Sequence, residues 1–333
     1  EHQLLYRTRC VLFTSIGGLR VLSVLLTILP VFLILGGGYL LGRIKYLPDS
    51  VADALNTYAL KLGVPVLLFL AMYRLDFALA FDAGMVVSFY SGAFTCFAAG
   101  IYLSRLIWKR RPGESVAVGF CAVFSNTVLI GLPIAQLAFG EAVLTPVFGI
   151  IAFHASLLYT VGMITMEFAR RDGRPLRDTL KSAFSSVISN PLMVGILVGI
   201  TANLVNLWLP QPLEQALDMI RMTAIPVSLV GIGIALNRYS ISAGLSETLM
   251  VSFLALVVHP AIALFLGYQV FGLETLYLKA AVVLAAMPPG MNIYIFALIY
   301  DRALNLSASV LVIANALAVI TIPVWILIIR ALT

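Results

Sequence analysis

Two short stretches set an amide side chain beside residues that interrupt helices. The first is SNTVLIGLPI, with Asn126, Gly131 and Pro133; the second is AMPPGMNIYI, with Pro288, Pro289, Gly290 and Asn292. Proline lacks a backbone N–H and its ring clashes with the preceding turn, so Pro133, Pro288 and Pro289 should break their helices. Gly131 and Gly290 let a neighbouring backbone approach closely. A helix that restarts after a break points N–H groups and a positive dipole end at its neighbour, which suits an anion. An Asn amide both donates and accepts. The plainer reading is a proline kink with Asn capping the freed backbone. Two matched interruptions, each with its own Asn, favour a binding site.

The elements that must position these groups are set by composition. The chain has 333 residues, 61% hydrophobic and only 11% charged, and its mean hydropathy is +1.04. A soluble fold of this size could not cover so much apolar surface. A water-soluble enzyme, a nucleic-acid-binding domain and a disordered protein are thereby excluded, despite a net charge of +6. Ten apolar segments, each of roughly the 20 residues needed to cross a bilayer, lie near 22–42, 51–72, 83–106, 115–138, 141–167, 183–206, 212–236, 245–270, 275–299 and 306–330. They must be helices, because hydrocarbon offers backbone groups no water. Residues 1–21 read as an extramembrane N-terminal segment, although a basic start before a short apolar run also fits a signal peptide. Cys10, Cys96 and Cys121 are too scattered for a disulfide framework or a zinc site and read as small buried hydrophobes.

Basic residues set the topology. Arg43 and Lys45 follow the first span, and Arg105, Lys109, Arg110 and Arg111 follow the third. Arg170, Arg171, Arg174, Arg177 and Lys181 follow the fifth, Arg238 the seventh and Arg302 the ninth. The other face has only Arg7, Arg9, Arg20, Arg74 and Arg330, with Lys279 near it. The richer face should be cytoplasmic, which puts both termini outside in an inner or plasma membrane. Pro65 and Pro226 recur in the second and seventh spans at an offset of about 160 residues. The interrupted fourth and ninth spans fit the same offset. Five spans per half would make the second half enter from the opposite face, an inverted repeat of 22–167 and 183–333 around a 168–182 cytoplasmic loop.

Ionisable groups within such spans are functional candidates by default. His154 lies well inside the fifth span. It is either a neutral ring bonded to a carbonyl or a site group suited to a carboxylate. Lys61, one turn before Pro65, either snorkels to an interface or shapes a vestibule. Asp218 and Arg221 are spaced to pair along one helix face; the alternative is a proton or cation relay that gates the protein. His259, before Pro260, reads as structural, and Asn315 in the last span is placed to face the interrupted helices. Gly36, Gly37 and Gly38 form a small-residue packing face without the Lys-Ser/Thr of a phosphate loop.

Three runs, AAMPPGMNIYIFALIYDRALNLSASVLVIANALAVITIPVWILII, SNTVLIGLPI and LNTYALKLGVPVLLF, resemble the auxin efflux carrier family from residue 22 onward. The resemblance is to its short bacterial members, assigned to malonate and similar carboxylates. It implies an all-α membrane protein of ten transmembrane helices in two inverted five-helix repeats, with helices 4 and 9 broken and crossing at mid-membrane. It also implies a scaffold of helices 1, 2, 6 and 7, and a transport domain of helices 3–5 and 8–10 that moves as an elevator. Substrate would bind beside the crossover. Asn126 and Pro133 fall at the helix-4 positions, and Pro288, Pro289 and Asn292 at their helix-9 counterparts. His154 stands where plant members carry a polar amide, implying a substrate other than auxin. The long cytoplasmic loop of many plant members is missing. A homodimer paired through the scaffold follows from the resemblance.

The expected function is therefore secondary transport of a small organic anion, a carboxylate, with H+ or Na+ as a candidate coupling ion. The expected substrate-binding residues are Asn126, His154, Asn292 and Asn315, with Lys61, Asp218 and Arg221 as gating or coupling candidates. No metal or cofactor is expected, since there is no His-Glu-x-x-His pair or Asp-rich motif. Other readings are a sodium-coupled bile-acid-type carrier, a transporter-like sensor, a channel and an intramembrane enzyme. Few membrane carboxylates are present to hold Na+.

Overall fold

Backbone groups in an apolar run are satisfied most locally by the α-helix. The computed structural model describes residues 2–170, 190–238 and 244–333, without the side chains of 2–22 and 170, and is all-helical there. In chain order the helices are α1 (His2–Arg43), α2 (Asp49–Tyr73), α3 (Ala83–Trp108), α4 (Pro112–Val123), α5 (Thr127–Phe139) and α6 (Leu144–Arg170). They continue as α7 (Pro191–Leu204), α8 (Gln211–Leu236), α9 (Leu245–Val270), α10 (Thr275–Ala285), α11 (Asn292–Tyr300) and α12 (Leu304–Leu332). A single turn, Phe77–Ala80, joins α2 to α3.

Among the described residues, 7 helices are long and apolar enough to cross a membrane, while α4, α5, α7 and α10 are shorter apolar helices. Two of the short ones, α4 and α5, are halves of the expected fourth span, and α10 with α11 makes up the ninth. The expected sixth span is helical over Pro191–Leu204. Residues 183–189 and 171–182 of the expected loop lie outside the described residues, whereas 168–170 extend α6. Leu26, Leu33 and Leu40, seven apart on α1, are exposed, as a lipid-facing stripe requires.

Proline has shaped these helices in a way that spacing alone does not reveal. Five-residue π turns at Ala59–Gly63, Thr127–Gly131 and Leu254–Val258 precede Pro65, Pro133 and Pro260 respectively. Each ends two residues before the proline. The wider turn accommodates the ring and the missing donor without ending the helix. Pro226, the expected counterpart of Pro65, instead sits inside continuous α-helix.

The helices sort by packing. α1 lies along α8, and α2 lies against α7 and α8. α3 packs on α4, α9 and α10; α6 packs on α4 and α10; α12 packs on α9, α10 and α11. Small residues permit the closest approaches. Gly195 and Gly199 of α7 face the carbonyls of Pro65 and Phe69, and Gly38 of α1 faces that of Val230 on α8. A Cβ at Gly36 or Gly37 would meet nothing within 4 Å, so the packing face expected of the Gly36–Gly38 run reduces to Gly38. Cys96 and Cys121 are buried.

Candidate substrate site at the crossing of two broken helices

The chain between α4 and α5, Phe124–Asn126, is extended and runs antiparallel to Pro288–Gly290 between α10 and α11. Ser125 and Pro289 form an isolated bridge. The Asn126 N–H donates to the Pro288 carbonyl at 2.9 Å, and the Gly290 N–H donates to the Phe124 carbonyl at 3.4 Å. Backbone groups freed by one break are thus satisfied by the other. A Cβ on Gly290 would lie 3.2 Å from Asn126 Cβ, and one on Gly131 would lie 2.7 Å from Leu284 Cδ2. Both glycines keep the two broken helices close.

The two breaks differ in local cause. The second lies on Pro288 and Pro289 themselves. The first lies before Asn126, whereas Pro133 comes within α5, after the π turn. The expectation that Pro133 breaks its helix is corrected accordingly. The π turn Thr127–Gly131 accommodates the Pro133 ring and its missing N–H within a helix that continues. What starts α5 is Asn126, whose Oδ1 accepts from the Leu129 N–H at 3.2 Å as an N-cap.

Asn126, His154 and Asn292 line one cavity of about 70 Å³. That is room for on the order of five waters, or a small carboxylate in their place. With Asn126 Oδ1 used as a cap, its Nδ2 donor has no partner among the described residues. Asn292 Oδ1 accepts from the Tyr159 hydroxyl at 3.1 Å, which likewise leaves its Nδ2 unpaired. His154 is 2% exposed and edges against Phe89 and Phe124. Its Nε2 lies 3.1 Å from the Ser125 carbonyl, an acceptor, so Nε2 carries the proton. Nδ1 is then a lone-pair acceptor, and it is buried without a partner.

His259 is tied into the same crossing. Its Nε2 lies 3.0 Å from the Phe89 carbonyl and its Nδ1 3.5 Å from the Ser125 hydroxyl. Nε2 donates, and Ser125 Oγ donates to Nδ1. Both ring nitrogens are engaged, which fits the structural role expected of this residue. Asn315 reaches the crossing from the far side of the cavity. Its Nδ2 donates to the Leu311 carbonyl at 2.7 Å and lies 3.5 Å from that of Pro289. It faces a separate void of about 10 Å³ shared with Asn126 and Met291, so it is not brought into the main cavity.

The cavity adjoins one of about 170 Å³ that shares Ala155, Met193 and Ile295 and extends to Asn190. From the opposite end, a cleft of about 700 Å³ is lined by Pro133 and Gln136 of α5, Pro226 and Arg221 of α8, and Arg74. A thin apolar layer parts the cleft from the site. Leu67, Leu132 and Leu229 line the cleft, and their neighbours Leu68, Leu129 and Ile232 line the site.

The proposed gating residues do not reach the crossing. Lys61 is exposed and lines neither cavity. Asp218 pairs with Arg221 at 2.8 Å, as the spacing suggests, and also with Arg74 at 2.7 Å. Arg74 further holds Glu214 at 2.6 Å, joining the end of α2 to α8. Hydrogen bonding to these carboxylates raises the Arg74 pKa above its ordinary value. Sequence reading missed Arg74 because a loop arginine is legible only as a topology mark. It also missed Tyr159, Ser125 and Asn56, which line or brace the site. Only Ser125 carried a signal, its adjacency to Asn126.

Helices that open partway along an apolar bundle, around a small and mostly apolar cavity bearing a few polar groups, are an arrangement characteristic of membrane transporters. The chain belongs to the Membrane transport protein family, that of the auxin efflux carriers, whose family model matches residues 23–326. It is 23% identical over 305 residues to a "Putative malonate transporter" of Rhizobium meliloti, covering 91% of this chain and 95% of that one. It is 23% identical over 309 residues to an "Uncharacterized transporter" of Methanothermobacter thermautotrophicus, covering 90% and 96%. It is 24% identical over 324 residues to "Uncharacterized transporter YfdV" of Escherichia coli K12, covering 91% and 96%. The protein is thus an integral membrane transporter.

Proposed function

We propose that the protein is a secondary carrier for a small organic anion, a carboxylate, rather than an enzyme. One observation carries the reading: Asn126 and Asn292, each with an amide Nδ2 that has no partner among the described residues, line a single cavity where two broken helices cross. A carboxylate accepts from both, and the restarting helices α5 and α11 present their positive ends to it. The malonate named for one relative is a carboxylate of fitting size.

In this reading ten spans form two inverted five-helix repeats, with α4/α5 and α10/α11 as the matched broken helices. α1, α2, α7 and α8 are the scaffold. α3–α6 and α9–α12 carry the site past it as an elevator, alternately exposing the cavity to either side. The basic loops hold both termini outside the cytoplasm. Scaffold pairing makes a homodimer.

The test is uptake of radiolabelled malonate and a panel of mono- and dicarboxylates into proteoliposomes. Each Asn donates to a charged ligand, an interaction worth roughly 1.5–3 kcal/mol, so Asn126→Ala and Asn292→Ala should each cut uptake at least tenfold. If no carboxylate is moved, or both variants match wild type, the assignment fails.

A further inference from the structure

The hydrogen-bonding inventory of the crossover cavity is more specific than a preference for anions. Among the described residues that line it, the groups without a partner are two amide donors, Asn126 Nδ2 and Asn292 Nδ2, the Thr127 hydroxyl and Asn56 Oδ1, and one fully buried acceptor, His154 Nδ1. No Lys, Arg, Asp or Glu lines it. A carboxylate satisfies the donors but brings no hydrogen to the acceptor. A dianion would place two charges in a cavity with no cation, and burying unpaired charge is strongly unfavourable.

We propose that the cavity takes a dicarboxylic acid in its half-protonated form, one carboxylate held by Asn126 and Asn292 and the remaining carboxyl O–H donating to His154 Nδ1. One proton therefore crosses with each dicarboxylate. The inference rests on the carrier reading above and names the ionic form that the same site accepts. The balance is simple: no bond is broken, and the substrate's own proton is carried and released on the far side. If the proton moves onto Nδ1 within the hydrogen bond, the net charge of the loaded site is unchanged.

The groups facing His154 leave it this role alone. α3 presents Phe89 and Tyr90, whose hydroxyl donates to the Ile150 carbonyl. α9 presents His259, with both nitrogens engaged. Tyr159, on the same helix as His154, donates to Asn292. The crossing contributes Phe124 and Ser125, whose hydroxyl is directed to His259. None of these carries a fixed charge, and none offers a hydrogen to Nδ1. The ligand must bring it.

The experiment measures malonate uptake by the full chain in proteoliposomes loaded with a pH-sensitive dye. Above the second ionisation of the substrate, its half-protonated fraction falls tenfold per pH unit. The apparent KM for total malonate should therefore rise about tenfold per unit, while that for a monocarboxylate stays flat, and the lumen should acidify with malonate uptake. Asn126→Ala vesicles correct for passive acid leak. His154→Phe keeps a ring among Phe89 and Phe124 but removes the Nδ1 acceptor, and with it the Nε2–H bond to the Ser125 carbonyl that either role of the residue would share. It should lower malonate uptake at least tenfold more than it lowers uptake of the monocarboxylate. A purely structural His154 would depress both substrates alike. A flat KM for malonate, uptake without acidification, or equal loss of both substrates in His154→Phe overturns the inference and leaves the carrier reading standing. Absence of all carboxylate transport overturns both.

Discussion

The two breaks reach one junction by different means. Between α10 and α11 the interruption is covalent in origin, since Pro288 and Pro289 have no N–H to give. Between α4 and α5 no proline is needed. Asn126 ends one helical ladder and caps the next, and Pro133 merely follows inside α5. The two amides differ in the same way. Asn126 spends its oxygen on its own backbone, and Asn292 spends its oxygen on the Tyr159 hydroxyl of another helix. A broken helix in an apolar bundle thus depends less on the residue that breaks it than on the partner that satisfies what is freed.

The sharpest way to separate the two roles of Asn126 is Asn126→Asp. Asp caps as well as Asn, so the carboxylate should keep the Leu129 N–H bond and the melting temperature. It loses the Nδ2 donor and places a negative charge against the anion. Uptake should fall roughly 100-fold, about 2.8 kcal/mol of lost binding; unchanged uptake at an unchanged melting temperature would show that Asn126 serves there only as a cap. Tyr159→Phe probes the other amide. It removes one hydrogen bond, about 1 kcal/mol, so substrate affinity should weaken about fivefold in a binding titration, and an unchanged value would mean Asn292 is held without it. The smallest effect is expected at the first break. Pro133→Ala should cost only about 0.4–1 kcal/mol, through the freer unfolded chain, with uptake retained. Loss of transport there would return the cause of the break to proline.

Much of the site was legible from residue types. Pro288, Pro289 and Asn292 announce an interruption and an amide in sequence order, and Asn126 and His154 stand out as polar groups in apolar runs. What the sequence could not place is equally physical. The first break lies before Asn126 because a π turn absorbs Pro133, and helix pitch is not written in a one-dimensional pattern. Tyr159 and His154 share α6, but only packing shows that the first braces Asn292 and the second meets Ser125. Asp218 and Arg221 were legible as a local pair; their bond to Arg74 joins different helices and was not.

Sequence by itself determined the all-helical membrane fold, the family, and the amides beside the interruptions. These follow from effects that act along the chain: the hydration cost of exposed backbone, and the donor that proline lacks. Tertiary structure alone decided that the two interruptions pair with each other, that Asn315 faces a separate void, and that the His154 ring has one nitrogen occupied and one unmatched. Such outcomes depend on which groups meet across space, and hydrogen bonds reach only about 3 Å.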